Sequence, residues 1–396
     1  MPSTIIELTE YIPALLPLEK IPLRVGEMLW RYYSSQVAVE FPSPKTGGQW
    51  QLTAQGWVGY IPLTPDLSFS LQPRVKLSNL FRMLEYAYYL HSFHWLEGLV
   101  ESDSLAEFYE RLAHILAHRI LERGRQGFYR AYVSKSEQLP YVRGRVDLQR
   151  AGAVKPGQVR LNCRYEQFTA DIADNQILAW TLACITRSGL CTERSLPTVR
   201  RAYRRLQDLA TLRPYSPRDC IGRRYHRLNQ DYEPLHALCR FFLEYSGPRP
   251  GPGEHRMLPF LVNMPRLYER FVAEWLQRHL PSEILLRSQE RVDLAGSDPL
   301  HFEIDLTLYE GRSGLARCAL DTKYKVPTAP ATDDIAQVVT YAQAKNCHEA
   351  ILVYPTPLAR PLDTWVGDIR VRTLTFSLDS DLEQAGQQFL QDLQLR

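Results

Sequence analysis

Apolar and polar positions along the chain fall into three successive patterns. Up to about residue 75, short runs rich in β-branched and aromatic residues, "SSQVAVEF", "QWQLTAQGWVGYIPLT" and "SFSLQPRV", are broken by Pro and Gly. Such runs predict strands joined by tight turns. The spacing then becomes helical: Leu77, Leu80, Phe81 and Leu84 share one face, and Leu105, Phe108, Leu112, Ile115 and Leu116 another. The second of these helices is expected to stop at Gly124. After a loop containing "VRGRVDL", the segment "DIADNQILAWTLACI" reads as a further apolar helix. "SGPRPGPGEHR", residues 246–256, is dense in Gly and Pro and reads as a linker. Beyond it helix and strand patterns mix. "MPRLYERFVAEWLQRHL" and "DDIAQVVTYAQAK" predict helices, whereas "HFEIDLTLY", "RCALDTKYKV" and "EAILVYP" predict strands.

The pattern predicts an α+β multidomain protein. A β-rich region spans 1–75, a mainly helical region 76–245, and an α/β domain with a mixed sheet flanked by helices 257–396. A length of 396 residues with 45% apolar side chains supplies enough material for sizeable cores. The formal net charge of +3 does not by itself mark a nucleic-acid binder, so clustering matters more than the sum. The most basic stretch is 194–227, with Arg194, Arg200, Arg201, Arg204, Arg205, Arg213, Arg218, Arg223, Arg224 and Arg227. In its helical half, Val199, Tyr203, Leu206 and Ala210 are expected to face inward. Arg200, Arg201, Arg204 and Arg205 then face outward, as a solvated surface or as contacts to phosphates or an acidic partner.

Several chemistries are excluded. Seven cysteines show no zinc-type spacing and fit reduced cytoplasmic thiols. "MPSTIIELTEYIPALL" lacks the make-up of a secretory signal, and no apolar run of about 18 residues predicts a membrane span. The expectation is a soluble, cytoplasmic protein with no membrane partner. No GxxxxGK[ST] loop, GxGxxG turn, HExxH or GxSxG occurs.

What remains is an acidic cluster. Asp321, Lys323 and Lys325 are two apart, so on a strand they project the same way. Asp305 lies on the preceding strand, with fifteen residues, including the turn-rich "EGRSGLAR", between it and Asp321. An antiparallel pair brings the two carboxylates together, an arrangement that repels unless a cation joins them. A hard ion such as Mg²⁺ suits oxygen ligands, and a neighbouring lysine can orient a water, which together fit phosphodiester hydrolysis. Glu269 sits on an upstream helix whose Leu267, Phe271 and Leu276 would pack on the sheet. Gln337 and Tyr341, one helical turn apart, are expected on one buried-side face, suited to contact a phosphate or the lysine. Glu303 is the rival of Asp305, and Glu274 that of Glu269. The alternative to a site is an ordinary surface cluster.

Glu, Asp, D-x-K and Q-x-x-x-Y in this order resemble the PD-(D/E)XK nuclease core in its QxxxY branch, with Ile304 where the family's proline stands. More narrowly, "FLVNMPRLYERFV", "LDTKYKV" and "IAQVVTYAQA" resemble the McrC family, the nuclease subunits of McrBC-type modification-dependent restriction systems. The likeness extends upstream through "WVGYIPLTPDLSFSLQPRVKLSNLFRMLEYA", "LERGRQGFYRAYVSKSEQLPYVRGRVDL" and "CRYEQFTADIADNQILAWTL". In these, Gly144, Arg145, Asp147, Asp171 and Asn175 hold recurrent family positions. Asp147 and Asp171 read as fixing loops and caps. Asn263 and Pro265 depart from the family's usual "DMNRLFE".

The resemblance implies a Mg²⁺-dependent endonuclease, with Mn²⁺ as an expected substitute and no nucleotide bound by this chain itself. Its implied partners are an McrB-like AAA+ GTPase ring, bound through the amino-terminal and middle regions, and double-stranded DNA carrying modified cytosine. Asp305, Asp321 and the Thr322 backbone carbonyl would hold the metal, with Glu269 acting through water or a second ion. Lys323 would orient the attacking water, and Gln337 and Tyr341 would position Lys323 or the strand. Lys325 reads as a DNA-contacting or solvated lysine. The helix arginines Arg200, Arg201, Arg204 and Arg205 would face either DNA or the ring. Two other readings are a non-catalytic regulator of the motor and a stand-alone QxxxY repair nuclease.

Overall fold

The computed structural model describes residues 4–64, 66–88, 104–146, 160–246, 259–293 and 301–394. Asp147 and the expected linker after Ser246 lie outside the described residues. The described residues divide into two units, one from Met1–Phe108 and Pro259–Arg396, the other from Tyr109–Ser246.

The first unit opens with β1 (Thr4–Thr9), β2 (Ala14–Leu16), α1 (Leu23–Tyr33), β3 (Val37–Glu40), β4 (Trp50–Ala54), β5 (Trp57–Pro62), β6 (Leu67–Gln72) and α2 (Leu77–Ala87). The strands expected here form, and they sort into two sheets. β2, β4 and β3 make a small antiparallel one. β1 runs parallel to β6, which pairs with β5. Ile6, Leu8, Leu29, Trp50, Leu52, Ile61 and Phe69 meet in a shared core, because alternate strand residues point inward.

The second unit contains α3 (Leu105–Gln126) beyond Phe108, then β7 (Ala131–Leu139), β8 (Arg145–Val146), β9 (Leu161–Thr169), α4 (Ala173–Ser188), α5 (Leu196–Gln207) and α6 (Tyr232–Tyr245). Helix α3 runs past Gly124, where the sequence pattern predicts a stop. Gly124 takes no positive φ, so it lacks the left-handed conformation that closes a helix there. The β7–β9–β8 sheet escapes the period-2 reading because only Cys163 and Tyr165 of its strands are buried, among mostly polar neighbours. Gly144 adopts φ +69, and a Cβ there would sit 2.5 Å from the Arg164 carbonyl oxygen, so the turn into β8 requires glycine. Asp171 accepts from Thr211 N at 2.7 Å and Gln176 Nε2 at 2.6 Å. Asn175, fully buried, donates to the carbonyls of Tyr129 and Ala170 and accepts from Tyr232 Oη. Both side chains therefore tie loops to α4. On α5, Val199, Ala202 and Leu206 are buried and Arg200, Arg201, Arg204 and Arg205 are exposed. Ala202, not the half-buried Tyr203, completes the inner stripe.

The chain returns to the first unit with β10 (Phe260–Asn263), α7 (Met264–His279), β11 (Ile284–Asp293), β12 (His301–Glu310), β13 (Ala316–Thr322), α8 (Thr332–Lys345), β14 (Glu349–Tyr354), β15 (Asp363–Val366), β16 (Ile369–Thr375) and α9 (Leu382–Leu393). β10 joins the amino-terminal sheet by pairing with β5. Gly59 permits this, since a Cβ there would lie 2.1 Å from the Phe260 carbonyl oxygen. The second sheet has the order β11-β12-β13-β14-β16-β15 and is mixed, with β13, β14 and β16 parallel and the rest antiparallel. α8 is the crossover between parallel β13 and β14, and its Val338, Val339 and Ala342 pack on Ala319, Ala350 and Leu352. Asn263 caps α7 by accepting from Arg266 N at 2.9 Å, and Pro265 occupies the first turn, where no N–H is needed. The departures from the family's usual residues thus still build a helix start.

Candidate active site

The last cross-strand pair of β12 and β13 at this end is Leu306 opposite Leu320. One step further the same register sets Asp305 opposite Asp321, on one face of the sheet. The strand ends at Thr322, earlier than the apolar pattern predicts, although Lys323 N still donates to the Val353 carbonyl at 2.8 Å. Alternation continues past the ladder. Lys323 and Lys325 turn toward the carboxylates, while Tyr324 turns away and donates to Glu10 Oε1 at 2.6 Å.

Asp305 Oδ2 accepts from Thr322 N at 2.9 Å and from Thr322 Oγ1 at 3.1 Å, which pins this carboxylate against β13. Asp321 is 1% exposed. Its Oδ2 lies 2.6 Å from Lys323 Nζ, which holds the ammonium against the carboxylate. Burial and then the Asp305 charge raise the Asp321 carboxyl, outweighing the nearby ammonium. Lys323 is raised in turn, because its carboxylate neighbours outweigh its own burial. Glu269 on α7 belongs to the same field, pushed up to about 7 by burial and by Asp305. Glu303 shares the Asp305 face of β12 but is exposed, and Glu274 keeps a buried Oε2 without a partner.

Lys323 Nζ also donates to Gln337 Oε1 at 2.9 Å, and Gln337 Nε2 donates to Tyr341 Oη at 2.6 Å. Gln337 is exposed, not buried as expected, whereas Tyr341 is buried and stacks on Phe302 at 5.4 Å. Two residues escaped the sequence reading. Asp334, in the first turn of α8, lies 3.7 Å from Lys323 Nζ and 2.5 Å from Lys325 Nζ. Gln289 on β11 interrupts the ladder opposite Asp305 with φ +50 and donates to Glu269 Oε1 at 3.3 Å. Only the positive φ and the cross-strand placement single it out, and neither is visible in sequence. Asp334 is legible only once Lys323 and Lys325 are known to converge.

Among the described residues, no group of three His, Cys, Asp or Glu side chains forms a ready-made metal cage. The donor set that fits a hard cation is Asp305 with Asp321, close enough for one charge to raise the other. Two carboxylates at one point, the buried one raised by the charge of the other, form a site that gains from a cation.

The family model described as McrBC 5-methylcytosine restriction system component matches residues 52–355. The chain belongs to this McrBC component family. The resemblance to the McrC family is therefore borne out. One McrBC relative is the type IV methyl-directed restriction enzyme EcoKMcrBC of Escherichia coli (strain K12), 24% identical over 266 residues, 64% of this chain and 74% of that protein. A refined half-complex of Thermococcus gammatolerans McrB AAA+ hexamers with bound McrC contains a chain of similar fold. Its TM-score is 0.56 at 15% identity, covering 98% of this chain and all of that one. A second T. gammatolerans McrBC complex aligns over 70% of this chain with TM-score 0.43. Among the described residues no helix is long and apolar enough to cross a membrane, and all seven cysteines are free and buried.

Proposed function

We propose that the chain is the McrC-type endonuclease subunit of an McrBC system, working in the cytoplasm with an McrB-like AAA+ GTPase ring on methylcytosine-containing DNA. Its carboxy-terminal sheet is then a PD-(D/E)XK domain of the QxxxY kind. The observation that carries this reading is the apposition of Asp305 and Asp321 with the Lys323 ammonium 2.6 Å from Asp321. A structural sheet gains nothing from buried like charges.

Asp305, Asp321 and the Thr322 carbonyl would hold Mg²⁺ or Mn²⁺, with Glu269 beside them. The metal supplies charge stabilisation at the phosphate and lowers the pKa of water. Lys323 offsets charge developing on the scissile phosphate and orients the nucleophile. Gln337, itself held by Tyr341, fixes the ammonium in position. Lys325, 40% exposed at its side chain, is placed for a neighbouring phosphate of the strand. The exposed arginines of α5 supply a second charged surface, for DNA or for the ring. The partner reading rests on family membership and on the McrB-bound assembly with a similar fold.

The test is purification with the partner ring and assay of GTP hydrolysis together with cutting of methylated and plain DNA. Asp321→Ala is expected to abolish cutting while GTPase stimulation persists. Undiminished cutting would remove the proposed site.

A further inference from the structure

Beside the carboxylate cluster the first unit holds a second recess. A cavity of about 230 Å³ is lined by Glu10, Tyr11, Arg74, Tyr324, Lys325, Val326 and Thr356, among mostly apolar walls. Its floor carries polar groups that the fold leaves unsatisfied. Glu10 is fully buried. Its Oε1 accepts from Arg74 N at 2.8 Å and from Tyr324 Oη at 2.6 Å, but its Oε2 has no partner. The buried Thr356 Oγ1 has none either. An orphaned buried carboxylate oxygen and hydroxyl are costly and are kept where something else completes them. Burial raises the Glu10 carboxyl, consistent with a group waiting for a hydrogen-bonding partner. Tyr11 is held at φ +58, a conformation a tyrosine seldom adopts and one that collects at ligand clamps.

The lining selects the ligand. An apolar cavity of about 150 Å³ accepts a benzene ring, so this one has room for a planar heterocycle. The free Glu10 oxygen and Thr356 hydroxyl suit a ring edge bearing an amino or carbonyl group. Arg74 at the wall suits an attached phosphate, and Lys325 can join it by exchanging Asp334, its partner at 2.5 Å. The cations Arg74 and Lys325 offset the acids Glu10 and Asp379 at the wall, which disfavours a metal ion, and the unsatisfied polar groups disfavour a plain hydrocarbon. We propose that this recess binds one nucleotide unit, its base between the tyrosine and valine walls and its phosphate at Arg74 and Lys325. Tyr324 and Lys325 directly follow Lys323, so the unit would be a nucleotide of the strand being cut, unstacked from its neighbours. Occupancy by a nucleotide stands apart from the nuclease reading; only the assignment to the cut strand rests on it.

The test uses the full chain in EDTA, so that no metal-dependent cutting intervenes. Deoxynucleoside monophosphates are titrated by calorimetry, and duplexes carrying 2-aminopurine are followed by fluorescence. Binding of the monophosphates, or a rise in 2-aminopurine emission, is expected for the unaltered chain. Thr356→Trp, which fills the recess, should weaken either signal by about tenfold or more. Val326→Trp at the exposed rim repeats the test should the first variant misfold. Glu10→Gln, which exchanges an acceptor for a donor, should reorder the preference among bases. Monophosphate binding with silent 2-aminopurine supports the recess but names a free nucleotide as its occupant; emission that rises names the strand. No response to either probe, or responses that both filling variants leave unchanged, would overturn the proposal. Absence of DNA cutting with Mg²⁺ restored would count against the nuclease reading and leave nucleotide binding standing.

Discussion

Glu269 and Asp321 are two acids whose folded state favours the proton, because burial and the Asp305 charge oppose their ionisation. Such groups bind a proton more tightly folded than unfolded, so the stability they confer is complete at low pH and is lost as pH rises. For Glu269 the loss spans the interval from its usual 4.5 to about 7. A cation bound between the carboxylates has the opposite preference, since it requires them ionised. The metal-free protein is therefore expected to melt lower at about pH 8 than at about pH 5, with Mg²⁺ restoring the melting temperature only at the higher pH. Asp321→Asn should remove the Mg²⁺ effect and leave only the Glu269 share of the pH trend, as read by differential scanning calorimetry; a Mg²⁺ effect that survives it would place the ion elsewhere. Gln337 acts one step further out, holding Lys323 without facing the carboxylates. Gln337→Leu should lower kcat for DNA cutting by about 10- to 100-fold with little change in melting, because Gln337 is exposed and gives up only its bonds to Lys323 and Tyr341. Single-turnover cutting assays check this, and Gln337→Glu, which keeps an acceptor, should recover part of the loss.

At the scale of elements, strand β10 lies against β5 and runs straight into α7, the helix that carries Glu269. The close approach depends on Gly59, which adopts φ +135. Gly59→Ala is expected to cost about 1–3 kcal/mol from backbone strain, with a further loss from the clash, and to reduce cutting by displacing α7. Denaturant melts and cutting rates measure the two effects separately. The elements that position the acids were legible in sequence because their patterns are strong. α7 shows a clear apolar stripe, β12 and β13 are buried runs, and α8 follows Lys323 at crossover distance. Weakly patterned elements were not legible. β7 buries no residue fully, β9 buries only Cys163 and Tyr165, β15 is exposed throughout, and β11 buries Ile284 alone. β11 and β15 pair with the next strand in the chain and β7 with the more distant β9, but periodicity carries no information about a partner. The same limit hid Gln289 and Asp334, whose significance lies in what stands opposite them.

For the whole molecule, the segment after residue 257 looks self-contained in sequence, yet it shares a unit with the amino-terminal strands. β10 takes its only sheet partner among the described residues from β5, and Tyr324 its hydrogen bond from Glu10. A fragment of residues 257–396 would expose the β10 edge and leave Tyr324 Oη buried against nothing. It is expected to show no cooperative thermal transition by circular dichroism, whereas the full chain does. A cooperative melt of the fragment at the full chain's temperature would show that the amino-terminal sheet contributes nothing to the site's framework.

The hydrogen bond from Tyr324 to Glu10 closes a loop of 314 positions. During synthesis the first strands leave the ribosome long before the tyrosine that completes them, so the carboxylate of Glu10 must wait, unsealed, until the chain is nearly finished. Long-range closure of this kind folds late. A truncated or stalled nascent chain would thus carry its acids and lysine on an unfinished frame, and whatever chemistry they perform would wait for that closure.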